Sequence, residues 1–129
     1  MRILIILLCF LFFTTSGFCD EGEEAAETEY LPLDSKLIVN LQGRKHYLRA
    51  EIQLMVAGSE NADRIRIHIP GIRHALIMFF SSYTHVQLSA LEERKGLQKK
   101  ALEEIRATLD KYSQSDGLKD VLFTEFLVQ

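Results

Sequence analysis

Three hydropathy patterns follow one another along the chain. Ile3 to Phe13 is an unbroken run of eleven apolar residues behind Arg2. From Asp20 to Glu29 the pattern inverts to acidic and small residues, with no bulky apolar side chain. Beyond Lys36 apolar and polar positions alternate. Leu37, Val39 and Leu41 share one side of an extended chain, and Lys36, Ile38 and Asn40 the other, which predicts a strand with one buried face. Gln42-Gly43-Arg44-Lys45 is polar and contains a glycine, which suits a hairpin turn. In the second strand Leu48, Ala50, Ile52, Leu54 and Val56 point one way, and Arg49, Glu51 and Gln53 the other. One face of this hairpin is apolar and needs a covering layer.

The middle of the chain changes period. Ile65, Ile67 and Ile69 alternate with Arg64, Arg66 and His68, which taken literally is a further strand, so Glu60 to His68 is ambiguous. After Pro70, a residue tolerated in a first helical turn, Ile72, Leu76, Phe79, Phe80 and Tyr83 make a helical stripe. Thr84 to Ser89 breaks the pattern. Ser89 and Glu92 have capping-box spacing, and Leu91, Ala101, Leu102, Ile105, Leu109 and Tyr112 predict a second helix. Its other face is charged, with Glu92, Glu93, Arg94, Lys95, Lys99, Lys100, Glu103, Glu104 and Arg106, the composition of a solvated surface. Ser113 to Gly117 is a turn. Leu118 to Gln129 closes the chain as a strand, with Val121, Phe123 and Leu127 on one side and Leu122, Phe126 and Val128 on the other. A strand apolar on both sides belongs in the middle of a sheet or against a partner. The expected order is β-β-α-α-β, an α+β fold with a small, mainly antiparallel sheet and two helices on one face.

Charge and length divide the chain at the same places. The segment from Asp20 to Asp34 holds seven acidic residues and no basic one, whereas Lys36 to Gln129 holds fourteen Lys or Arg against eleven Asp or Glu. Residues 20–35 therefore read as an acidic flexible linker, and residues 36–129 as one domain. The run ending at Phe13 is shorter than the ~20 apolar residues of a membrane-spanning helix. With small residues following it, residues 1–19 read as a signal peptide or short membrane anchor, with cleavage near Gly17, Phe18 and Cys19. Cys9 lies inside the apolar run and Cys19 beside the cleavage region, so no disulfide staples the domain.

Candidate chemistry is sparse. His68 and His74 are six apart and share no helical face, and no His-Glu-x-x-His occurs, so no metal site is expected. No nucleophile, base and orienting group come together in the sequence, and no glycine loop suits a phosphate, so neither a catalytic residue nor a cofactor is expected. Arg64, Arg66, Arg73, Lys95, Lys99 and Lys100 offer an anionic lipid surface or an acidic partner as ligand. Export excludes nucleic acid.

Several segments, in order, resemble one family, the flagellar basal body-associated protein FliL. Val121-Leu122-Phe123-Thr124-Glu125-Phe126-Leu127-Val128-Gln129 resembles that family's terminal motif. Leu37-Ile38-Val39-Asn40-Leu41 with Tyr47-Leu48 resembles its first hairpin, and Ile69-Pro70-Gly71-Ile72-Arg73 with Leu76-Ile77 and Phe79-Phe80-Ser81 the helix that follows. Gly96-Leu97, Leu102 and Ile105 fit its second helix. The ordered set covers Tyr30 to Gln129. The resemblance implies a periplasmic domain related to the stomatin/prohibitin (SPFH-like) fold, held at the inner membrane and helical on both sides of Pro70. It further implies no enzyme activity, but a role in motility: a homo-oligomer with flagellar stator and basal-body proteins as partners. Asp110 stands where that family commonly has asparagine. Only Met1 and Arg2 precede the apolar run, where family members usually have a cytoplasmic tail and a longer transmembrane helix; this fits a shorter, exported paralogue. Candidate interface residues are Arg73, charged on an otherwise apolar helix, with Phe79, Phe80, Phe123, Phe126 and Val128. An adaptor for envelope or anionic-lipid surfaces, not tied to the flagellum, is the alternative.

Overall fold

A computed structural model describes residues 27–129, apart from residue 44. The sheet is organised by β3 (Tyr47–Ala57), in which every second side chain from Leu48 to Val56 is buried. Strand β4 (Leu118–Val128) runs antiparallel along one edge of β3, with Leu48 opposite Val128 and Val56 opposite Leu118. The other edge of β3 is shared end to end by two short antiparallel strands. These are β2 (Leu37–Asn40), with Val39 opposite Leu48, and β1 (Thr28–Pro32), with Leu31 opposite Leu54.

β1 corrects one boundary. Residues 28–35 were expected in the acidic linker, yet Leu31 and Leu33 are only 4% and 2% exposed. Five residues bearing Glu29 and Pro32 carry too short an alternation to stand out from their acidic surroundings. Pro32 is tolerated because β1 lies on a sheet edge. Asp34, at φ 59, turns the chain between β1 and β2.

The ambiguous stretch is helical. Helix α1 (Ser59–Arg66) and helix α2 (Ile69–Ser81) form consecutive segments, with Pro70 in the first turn of α2. The apolar residues here serve a period near 3.6. Ala62, Ile65, Ile69, Ile72, Leu76 and Phe80 are buried, whereas Ile67, the residue a strand would need on the same side as Ile65, is 75% exposed. Thr84 to Ser89, expected as a break, contains the short helix α3 (His85–Ser89). The capping box lies here, not at Ser89 and Glu92. The Gln87 backbone N–H donates to Thr84 Oγ1 at 3.3 Å, and the Thr84 N–H to Gln87 Oε1 at 2.8 Å. Ser89 Oγ instead donates to the His85 carbonyl. A 3-10 turn (Leu91–Glu93) leads into α4 (Arg94–Asp110), which buries Leu97, Ala101, Ile105 and Leu109. The described residues thus form an antiparallel sheet of four strands with four α-helices packed against it.

β4 departs from strict alternation. Opposite β3 the register shifts between Glu51 and Ile52 and again between Met55 and Val56, which leaves Thr124 and Lys119 as extra residues. Each extra residue inverts the facing of the side chains beyond it. Leu118, Val121, Phe123, Phe126 and Val128 consequently sit opposite Val56, Leu54, Ile52, Ala50 and Leu48, all on the core side. The expected split, with Phe123 and Phe126 on opposite sides, fails for this reason. β4 lies at the edge of the sheet, not in its middle.

Candidate interaction surface

Arg73 and the phenylalanines organise the interior more than the surface. The Arg73 guanidinium, half-buried on α2, donates hydrogen bonds to the carbonyls of Leu33 and Ser35, each at 2.5 Å, and so clamps the turn between β1 and β2. Phe80 is fully buried. Its ring meets Phe79 edge to face at 5.1 Å, Phe123 at 6.0 Å and Phe126 at 6.1 Å, and Phe123 stacks on Phe126 at 5.3 Å. Phe79, Phe123, Phe126 and Val128 are half-buried and pack against the core. Helix α2 and strand β4 are thereby joined by one aromatic cluster.

The open face of the sheet is patterned differently. The helices cover one side of β3; on the other, Tyr47, Arg49, Glu51, Gln53, Met55 and Ala57 alternate with its buried residues. Across the strands, Ile38, Arg49 and Leu127 form one row, and Pro32, Gln53 and Leu122 another. Between the rows Lys36 donates to Glu125 at 2.5 Å and lies 3.9 Å from Glu51, while Arg49 lies 3.5 Å from Glu125. That hydrogen bond from Lys36 holds the Glu125 carboxyl below the usual glutamate range; desolvation opposes the shift, and the charges of Lys36 and Arg49 add to it. Ile38 at 66%, Tyr30 at 57% and Leu127 at 41% stay exposed.

α4 carries an uneven charge. Its first seven residues include Arg94, Lys95, Lys99 and Lys100 nearby and no acid, whereas Glu103, Glu104 and Asp110 follow toward its C-terminus. Glu92 and Glu93, immediately before the helix, place anions where the helix dipole favours them. No ion pair engages these four cations among the described residues. Arg94 lies one turn before Leu97 on the buried stripe, not on the solvated charged face expected from the sequence. Its Cζ stands 4.9 Å over the Phe126 ring, and its buried Nε has no hydrogen-bond partner. Beside it is a cleft of about 310 Å³, lined by Tyr83, Gln87, Leu97 and Lys100 among others, with Glu92 and Glu93 also in its wall. Two further side chains were not anticipated. Gln98 donates to the Val121 carbonyl and Arg106 to the Leu118 carbonyl, covering the N-terminal half of the outer edge of β4.

The expected signal peptide or anchor at residues 1–19, with Gly17, Phe18 and Cys19, lies outside the described residues. Among the described residues no helix is long and apolar enough to cross a membrane, and no three His, Cys, Asp or Glu side chains gather as metal ligands. A search of curated proteins finds no match. The family model described as "Flagellar basal body-associated protein FliL" matches residues 30–129, from within β1 through all of α1 to α4 to the last residue of β4 and beyond it to Gln129. With the match spanning the sheet, the helices and the aromatic cluster that joins them, the chain belongs to the FliL family of flagellar basal body-associated proteins.

Proposed function

We propose that this domain is a non-enzymatic scaffold in the periplasm, at the outer side of the inner membrane, which self-associates at the flagellar base and supports the stator units of the motor. The observation that carries the proposal is the family match across residues 30–129, which implies a basal-body-associated role for the folded domain as a whole. The surface supports the finer reading. Ile38 and Leu127 flank Arg49 on the sheet face that, among the described residues, the helices leave open, and a second copy would cover them. Residues 1–19 act as the export signal or short anchor, and the acidic residues after them as a leash between membrane and domain.

Deletion of the gene in a motile host tests the role. The proposal expects cells that still assemble flagella but swim slowly, with the deficit larger in viscous medium, where stators carry more load. Swimming at the parental speed in both liquid and viscous medium would refute it.

A further inference from the structure

We infer that the C-terminal half of β4 pairs, along its outer edge, with the same strand of a second copy, antiparallel and with Leu127 on the twofold axis. The inference rests on the self-association proposed above and names the contact that carries it.

The two halves of that edge differ. Tyr47 and Gln129 exchange both backbone hydrogen bonds, and the register continues through Leu48–Val128, Arg49–Leu127, Ala50–Phe126 and Glu51–Glu125. Bonded and non-bonded pairs alternate in an antiparallel ladder, so the N–H and C=O groups of Leu127 and Glu125 point to β3 and those of Phe126 and Val128 point outward. In the first half of β4 the chain's own side chains take such outward groups. Asp120 Oδ1 accepts from the Val121 N–H at 2.8 Å, Gln98 donates to the Val121 carbonyl at 2.6 Å, and Arg106 donates to the Leu118 carbonyl at 3.1 Å. Among the described residues no hydrogen bond engages the outward groups of Phe126 and Val128. This half also lacks the lysine or proline that commonly blunts an exposed edge. From Leu122 to Gln129 the only charge is Glu125, which Lys36 holds.

The strand that fits this edge is β4 itself. An added strand must bring apolar side chains to the core side, beside half-buried Phe126 and Val128, and to the open side, beside exposed Leu127. Antiparallel pairing of two copies about Leu127 does both. Phe126 of each copy exchanges two hydrogen bonds with Val128 of the other, setting an aromatic beside a β-branched side chain, and the two Leu127 side chains meet as a non-hydrogen-bonded pair. On the open side Lys36 and Arg49 offset Glu51 and Glu125, so identical faces do not repel each other. The helices do not obstruct the pairing. Arg94 lies over Phe126, Gln98 reaches Val121 and Arg106 reaches Leu118, so α4 runs away from the axis and the α4 helices of two copies diverge. A twofold contact closes on itself, so this edge makes a dimer.

The contact is short, of the size of transient pairs, so crosslinking reads it. The test uses the full chain in mild detergent, with Cys9 and Cys19 replaced by alanine so that one introduced thiol reports. A non-hydrogen-bonded antiparallel pair sets Cα atoms about 4.5 Å apart, within reach of a disulfide. Under mild oxidation Leu127→Cys is expected to form covalent dimer at least about tenfold faster than Lys119→Cys, which lies on the same strand but about 50 Å from its counterpart in this register. Adding Val128→Pro to Leu127→Cys removes an outward N–H and no bond to β3, and is expected to slow the crosslink about tenfold with the circular dichroism unchanged. Equal rates for Leu127→Cys and Lys119→Cys overturn the inference, whether or not the proline variant folds. If sedimentation velocity then still finds the parent chain assembled, the self-association proposed above stands. A crosslink indifferent to Val128→Pro in a folded chain overturns the inference as well, because the edge bonds then do not carry the contact. A parent chain that is monomeric at every concentration, with no crosslink at Leu127→Cys, removes both the inference and the self-association beneath it.

Discussion

At the scale of single residues, the backbone conformation of Gly117 admits no substitute. Its φ is +83°, and a Cβ there would stand 2.3 Å from Asn61 Nδ2, which itself donates to the Ala57 carbonyl. Gly117→Ala combines a left-handed penalty with a clash against α1 and is expected to cost about 2 kcal/mol or more, read from urea unfolding. Arg73 poses the complementary question, whether a cation on an apolar helix serves a partner or the fold. Its two bonds to Leu33 and Ser35 favour the fold. Arg73→Ala should lower stability by about 1 to 2 kcal/mol, with lost amide-exchange protection concentrated in β1, and should leave assembly of the folded protein unchanged. Loss of assembly at parental stability would restore Arg73 to the interface. Nothing in the sequence distinguishes these roles, because the carbonyls that Arg73 binds lie 40 and 38 residues away.

At the scale of elements, legibility follows the length of the repeating pattern. β3, with its long alternation, and α2 and α4, with long stripes of buried residues, stand out in the sequence. β1 and α3 are five residues each and are held by what they pair with or by their caps, so periodicity says little about them. The aromatic side of β4 was hidden for a different reason: a bulge costs one residue and reverses the inference for every position beyond it. The box at the start of α3 gives a direct check. Thr84→Ala removes the acceptor for the Gln87 N–H and should cost about 1 kcal/mol in thermal or urea unfolding. The ionic row of the open sheet face gives a pH-dependent one. Glu125 is held below the ordinary glutamate range chiefly by the hydrogen bond from Lys36, so its contribution is present above the unfolded-state value and is lost as pH falls through the lower folded-state value. The stability difference between the parent and Glu125→Gln should therefore be constant near neutral pH and shrink to nothing in acid. A difference that grows in acid would contradict this linkage.

At the scale of the whole molecule, the net charge of −3 conceals a division of labour. The segment before the domain is acidic, while Lys36 to Gln129 carries fourteen Lys or Arg against eleven Asp or Glu. Family membership was legible in the ordered segments from Tyr30 to Gln129, whereas the cleft was not, because it is assembled from the loop after α2, α3 and the first turns of α4. The proposed role places the protein at the flagellar base in the company of stators. A fluorescent fusion in motile cells, imaged with and without stator units, measures this most directly. Foci at the flagellar bases that weaken or disperse when stators are removed are expected; fluorescence spread evenly around the envelope, unchanged by the loss of stators, would overturn the proposed role.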